Sequence, residues 1–233
     1  MKITLFVLTY NEIEGMKAIM PRIKEEWVDQ IIIADGGSTD GTLEYARQQR
    51  YTVFVQREKG IRHAYIEGFP LIIGDIVITF SPDGNSVPEA IPALIEKIKE
   101  GYDMVIASRY LHHAKSYDDD FVTHFGNWFY TASINFFHGS KYTDALVIYR
   151  AYRKSLFYEM DLDKEKSYNT EKVFFTKIGI EPLLSIRCAK RKLKVTEISV
   201  DEPIRIGGER KLQIIRWGGA YYLQILKELF SWR

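Results

Sequence analysis

Short apolar, β-branched runs recur through the first half of the chain, at Ile3–Leu8, Gln30–Ala34, Thr52–Val55, Asp75–Phe80 and Asp103–Ala107. They begin 22 to 28 residues apart, and the gaps hold segments with helical spacing. In Pro88–Lys99, Ala90, Ile91, Leu94, Ile95 and Ile98 share one face, while Glu96, Lys97 and Lys99 take the other. Thr42–Gln49 is a second such segment. Apolar runs this short, alternating with helices, predict βαβ units and a parallel sheet buried on both faces.

The alternation stops near residue 110. Residues 117–120, Tyr-Asp-Asp-Asp, read as an exposed loop, followed by an aromatic-rich helix to about Phe137. Further on, the pattern predicts a helix over Glu181–Lys192, a short strand over Lys194–Ile198 and a helix over Leu212–Phe230. The expected fold class is α/β: a Rossmann-like, mainly parallel sheet flanked by helices. Residues 1–233 form a single domain on this reading, with 111–233 packed on the sheet as a C-terminal extension.

Composition changes this picture little. Apolar residues make up 46% of the chain, enough for a packed core. A net charge of +1 argues against a general nucleic-acid binder. The charge is uneven, however: Arg187–Arg233 carries eleven basic and five acidic residues, a basic end able to meet phosphates. The single cysteine, Cys188, excludes an internal disulfide and a cysteine-based zinc site, as suits a cytoplasmic protein. It falls mid-helix and reads as a small core residue. The N-terminus runs from Ile3–Leu8 straight into Asn11 and Glu12 and reads as a first strand, not a targeting segment. Phe121–Ser140 lacks Lys, Arg, Asp and Glu, but its Thr, His, Asn and Ser residues make it a poor membrane span.

In an open parallel sheet, ligands bind beyond the carboxyl ends of the strands. Polar residues follow four of the predicted strands: Thr9, Tyr10, Asn11 and Glu12; 35–42, D-G-G-S-T-D-G-T; 81–85, S-P-D-G-N; and Ser108, Arg109 and Tyr110. The first strand is not followed by G-x-G-x-x-G, and there is no G-x-x-x-x-G-K-[ST] or G-x-S-x-G. Dinucleotide, P-loop and serine-hydrolase chemistry are thereby disfavoured. What stands at the strand ends is Asp35 and Asp83, carboxylates able to accept from a base or ribose or to hold a divalent ion that bridges phosphates.

These segments resemble glycosyltransferase family 2, the inverting GT-A transferases, and especially its dolichyl- or polyprenyl-phosphate sugar transferase branch. Tyr10-Asn11-Glu12 resembles the family's Y-N-E, and residues 35–42 its D-D-G-S-T-D-G-T turn. Residues 81–89 stand where the family has D-x-D-x-Q-x-x-P-E. Ala107–Tyr110 resembles G-S-R-Y, residues 143–150 resemble T-D-x-x-S-G-F-R, and 205–212 resemble R-x-x-G-x-S-K-L. Three positions depart from the pattern: Ser81 replaces the first acid of D-x-D, Gly36 the second acid of D-D-G-S, and Val147-Ile148 the S-G pair.

The resemblance implies a nucleotide-sugar donor (UDP-, GDP- or dTDP-sugar), bound by 1–110, and an acceptor bound by 111–233. The acceptor would be a polyprenyl phosphate or a glycan or lipid-linked hydroxyl, in cell-envelope polysaccharide biosynthesis. Thr9, Tyr10, Glu12 and Asp35 would hold base and ribose; Asp83 and Asn85 would hold Mg2+ or Mn2+ near the diphosphate, which Arg205 and Lys211 would reach. With Ser81 neutral, either metal dependence is softer than usual or Arg205 and Lys211 share the neutralisation. A hydroxyl acceptor needs a general base, for which Asp144 stands first and Glu181 second, with Glu171 behind them; a phosphate acceptor needs none. Arg109 is a candidate for phosphate or acceptor contact.

Each candidate has a plainer reading beside it. Asp35 and Asp83 are common turn residues, Asp40 and Glu12 can cap helices, and Asp144 can pair with Arg150. His112 and His113 read as surface loop residues. The aromatic stripes Phe121, Phe125, Trp128, Phe129, Phe136 and Trp217, Tyr221, Tyr222, Phe230, Trp232 are either core packing or an interfacial face, peripheral at the inner side of a membrane. Ser81 also admits a nucleotide-sugar-binding protein with weak or lost catalysis. A sugar-nucleotide pyrophosphorylase is disfavoured, because residues 11–20 lack a Gly-rich phosphate loop.

Overall fold

The computed structural model describes residues 1–207 and 214–232. Seven strands form one sheet: β1 (Ile3–Thr9), β2 (Gln30–Asp35), β3 (Thr52–Val55), β4 (Ile76–Phe80), β5 (Met104–Ser108), β6 (Arg150–Arg153) and β7 (Val195–Ser199). Their order is β3-β2-β1-β4-β6-β5-β7. All pairs are parallel except those of β6, which runs antiparallel between β4 and β5. The five strands expected in the first half are present within one residue at each end, and β7 lies one residue on from its expected place.

Nine helices accompany the sheet among the described residues: α1 (Ile13–Ile19), α2 (Thr42–Gln48), α3 (Ile61–Gly68), α4 (Ile91–Lys99), α5 (Phe121–His138), α6 (Ser155–Glu159), α7 (Thr170–Phe174), α8 (Glu181–Lys190) and α9 (Ile214–Phe230). Along β1, Leu5 and Val7 point to one core, where α1 contributes Met16 and Ile19, and α4 contributes Ile91, Leu94, Ile95 and Ile98. Phe6 and Leu8 point to the other, against Tyr65 of α3 and Leu183, Leu184 and Cys188 of α8. This two-sided burial is why the strands read as continuous apolar runs. Helix α5 starts at a capping box: the Asp120 carboxylate accepts from the Thr123 N–H at 2.8 Å, and Thr123 Oγ1 accepts from the Asp120 N–H at 3.0 Å.

The second half is not merely packed on the sheet; β6 is inserted into it. Its four residues, Arg-Ala-Tyr-Arg, give no apolar run to read. The Arg150 side chain is fully buried, yet each end of its guanidinium finds oxygen. Nε donates to the Val147 carbonyl at 2.9 Å, Nη2 to that of Ala145 at 3.2 Å, and Nη1 to Ser185 Oγ at 3.0 Å and the Glu181 carbonyl at 3.3 Å. Arg150 thus satisfies the irregular 145–147 backbone and does not pair with Asp144.

Replacing Arg150 with Met would leave those carbonyls buried without donors. Arg150→Met is expected to lower the unfolding free energy by about 3 kcal/mol in urea denaturation. An unchanged midpoint would show that the carbonyls find other partners.

Candidate active site

A cleft of about 1190 Å³ opens beyond the carboxyl ends of β1, β2, β4 and β5. Of the residues singled out from the sequence, Thr9, Tyr10, Glu12, Asp83, Asn85, Arg109, Glu181 and Arg205 line it. Asp35 and Asp144 do not, and Lys211 lies outside the described residues.

The turns after β1 and β2 are stitched together by short side chains. The Asp40 carboxylate accepts from the Thr42 N–H at 3.0 Å and from the Ile13 N–H at 3.1 Å, so it serves the first turns of both α1 and α2. Burial opposes its charge, but these bonds outweigh burial and hold its pKa below the ordinary value. Asp35 is fully buried, and its carboxylate is spent on its own loop. One oxygen accepts from the Gly37 and Ser38 N–H groups at 2.9 and 2.8 Å; the other accepts from Thr9 Oγ1 at 3.1 Å and Ser38 Oγ at 2.6 Å. Asp35, expected to contact the base, thus does not line the cleft, and its four bonds shape the loop beside it. Gly36 is the residue that faces the cleft, and a Cβ there would meet Tyr10 Cβ at 3.2 Å, so its smallness makes room for the half-exposed Tyr10.

After β4, the turn carrying Asp83 is clasped by residues 203–206. The Ile206 N–H donates to the Asp83 carbonyl at 2.7 Å, and Asn85 Nδ2 donates to the Pro203 carbonyl at 2.8 Å. Gly84 has φ of 96°, open to glycine but strained for other residues, and a Cβ on it would strike Ile206 at 2.7 Å. One Asp83 oxygen accepts from the Asn85 N–H at 3.1 Å. The other lies 2.9 Å from Arg205 Nη2, while Arg205 Nη1 lies 3.3 Å from Glu12 Oε1. Arg205 thus bridges two carboxylates from different strand ends.

Among the described residues, no group of three or more His, Cys, Asp or Glu side chains is arranged to hold a metal. Small hard cations, however, are commonly held by one or two carboxylates together with substrate phosphates and water. Asp83 fits that pattern once a nucleotide supplies the phosphates. Asn85 would ligate through its amide oxygen, since its amide N–H is engaged by Pro203.

At the end of β5, Arg109 Nε and Nη2 bond the two Asp144 oxygens at 2.6 and 3.0 Å, and Nη1 reaches Glu202 at 3.1 Å. Asn127 of α5 donates to Asp144 at 3.3 Å. Asp144 has no solvent exposure and is neutralised by Arg109. It does not line the cleft, where the expectation of a general base would place it. Arg109 is correspondingly a fastener whose edge borders the cleft.

Glu181 begins α8 and accepts from the Tyr65 hydroxyl at 2.5 Å. Burial raises its pKa above the ordinary carboxylate value, although Arg150 and Tyr65 act the other way. Of the two leading base candidates, Glu181 is the one at the cleft wall. Glu171, the third, is buried in an ion pair with Arg62 at 2.7 Å.

The rest of the cleft was invisible at the strand ends. Val122, Phe125, Phe129 and Tyr130 of α5, Val147 and Ile148, and Trp217 and Tyr221 of α9 form an apolar continuation, with Lys59, Lys177 and Arg216 on its edges. The aromatic stripes therefore divide. Phe121, Phe136 and Phe230 are 85%, 83% and 90% exposed. Trp232 instead packs under Arg187, Lys190 and Arg191. His112 and His113 are exposed, as expected of loop residues.

Solved structures with this architecture include glucosyl-3-phosphoglycerate synthase from Mycobacterium tuberculosis. The complex with phosphoglyceric acid has a TM-score of 0.70 at 21% identity and covers 100% of this chain and 81% of that one. The complex that also holds Mn2+ and uridine diphosphate has a TM-score of 0.70 at 21% identity, covering 100% and 80%. The fold is that of the GT-A glycosyltransferases. The model of glycosyl transferase family 2 matches residues 4–161, and the chain belongs to that family of enzymes. It is 28% identical to the glycosyltransferase AglJ of Haloferax volcanii, over 94% of this chain and 69% of that protein. It is 32% identical to the dolichol-phosphate mannosyltransferase of Pyrococcus furiosus, over 91% and 60%. With the undecaprenyl-phosphate mannosyltransferase of Micrococcus luteus it shares 25% identity, over 94% and 95%.

Removing the Asp144 carboxylate would strand Arg109. Asp144→Ala is expected to cost about 3 to 5 kcal/mol of stability in urea denaturation. A stable variant that had lost only turnover would restore Asp144 as a base.

Proposed function

We propose that the chain transfers a sugar from a nucleoside-diphosphate sugar to a polyprenyl phosphate, with inversion at the anomeric carbon. The observation that carries this is the two-part cleft: charged and polar beyond the strand ends, apolar between α5 and α9. The first part suits a nucleotide and the second an isoprenoid chain. The relatives named for dolichol phosphate and undecaprenyl phosphate support that acceptor class, and the neighbour holding Mn2+ and uridine diphosphate supports the donor class.

The acceptor phosphate oxygen attacks the anomeric carbon as the bond to the donor diphosphate breaks, and the leaving nucleoside diphosphate takes the electron pair. The attacking phosphate is already an anion, so no residue has to remove a proton. The residues' task is to hold charge that develops on the leaving group, and Arg205 beside Asp83 is placed for it. When bound at Asp83, Mg2+ or Mn2+ would supply further neutralisation of the diphosphate. Tyr10, Gly36 and Thr9 would wall the nucleoside side.

No described helix is long and apolar enough to cross a membrane. The exposed aromatics of α5 and α9 would instead rest at the cytoplasmic membrane surface, peripheral to it, where the lipid acceptor lies.

Calorimetric titration with UDP, GDP, dTDP and CDP, each with Mn2+, tests the donor part: one nucleotide is expected to bind, and none binding would defeat the reading. Glu181→Gln tests the acceptor part. With a phosphate acceptor, kcat is expected to stay within about threefold, whereas loss of a general base costs about 100-fold or more. The same variant should be more stable than wild type at pH 8. The raised pKa means that the unfolded chain ionises first, near pH 4.3, so wild-type stability falls as pH rises past that point. The two proteins should converge below about pH 4.

A further inference from the structure

Resting on the reading of this cleft as a donor site, we propose that Arg205 is a displaceable resident cation that makes entry of a divalent ion depend on the nucleotide. Its guanidinium lies 2.9 Å from Asp83 Oδ2 and 3.3 Å from Glu12 Oε1, against the carboxylate that would hold the ion. While it is there, an approaching divalent ion meets a positive charge, and the one carboxylate of the turn is already neutralised.

The Arg205 backbone is held by contacts that do not involve its guanidinium. The Arg205 N–H donates to Asp118 Oδ1 at 3.2 Å, and Pro203 and Ile206, on either side of it, are bonded to the turn that carries Asp83. The guanidinium can therefore pivot from Asp83 without releasing the clasp. Its Nε–H is buried and has no hydrogen-bond partner among the described residues. A buried donor left unpaired is costly, and a phosphate oxygen would satisfy it. Guanidinium bonds to phosphate are bidentate and charge-assisted, so an arriving diphosphate competes well for Arg205 against Asp83. Once Arg205 turns to the phosphates, Asp83 Oδ2 and those same phosphates become available to the ion together. The coupling is mutual: each ligand must strengthen the other's binding by the same factor.

Mn2+ binding followed by electron paramagnetic resonance, with UDP and GDP binding followed by calorimetry, tests this on the full chain. Wild type is expected to bind Mn2+ at least about tenfold more tightly in the presence of its nucleotide than alone. In Arg205→Gln, Asp83 and Glu12 lose the guanidinium that lies between them. That variant is expected to bind Mn2+ alone about tenfold more tightly than wild type, and nucleotide without Mn2+ about tenfold more weakly. Equal Mn2+ affinity of wild type with and without nucleotide would overturn the inference, and that arm needs no variant to fold. If wild type binds neither nucleotide under any condition, the donor-site reading itself falls and takes the inference with it.

Discussion

The ion pair between Arg109 and Asp144 is the interaction on which both walls of the cleft depend. It is fully desolvated on the Asp144 side, so either partner left alone would be a buried, uncompensated charge. Through Asn127, Asp144 fixes α5, which carries the apolar wall. Through Glu202, Arg109 fixes the segment that leads to Arg205, which carries the phosphate side. One salt bridge at the end of β5 thus sets the distance between the two halves of the site. In the second half of the chain, buried guanidinium groups reinforce the apolar core. Arg62 with Glu171, Arg150 with main-chain carbonyls, and Arg187 with Glu228 act in the same way.

Rigid positioning and available charge are kept in different residues. Asp35 and Asp40 build the loops after β1 and β2 and have little left to offer a ligand, since their oxygens are engaged by the loops themselves. Glu12, Asp83 and Arg205 border the cleft and hold one another in an arrangement that a charged ligand can exchange for its own contacts. Carboxylates at one strand end are thus spent on the loops, and those at the next face the cleft.

What the chain discloses from its pattern alone follows the same division. The βαβ half was legible because both faces of its strands are buried, which leaves unbroken apolar runs such as Ile3–Leu8. Strand β6 was not, since Arg150 looks like a surface residue until the carbonyls of 145–147 are seen to need donors. Position beyond a strand end brings Asp83 and Glu12 to the cleft but not Asp35, whose environment is set by Ser38 and Gly37 three and two residues away. Asp144 carried the right motif and the wrong partner: sequence suggested Arg150, whereas the fold brings Arg109 to it from 35 residues away. The apolar wall could be seen only as an aromatic stripe, because helical spacing does not tell a cleft lining from a core.

The most direct test of the account is where the sugar goes. With a radiolabelled nucleotide sugar and a detergent-solubilised polyprenyl phosphate, the label should move into the organic phase as an acid-labile glycosyl phosphate. Label that stayed in water, as free sugar or on a soluble acceptor, would contradict the assignment of the apolar half of the cleft.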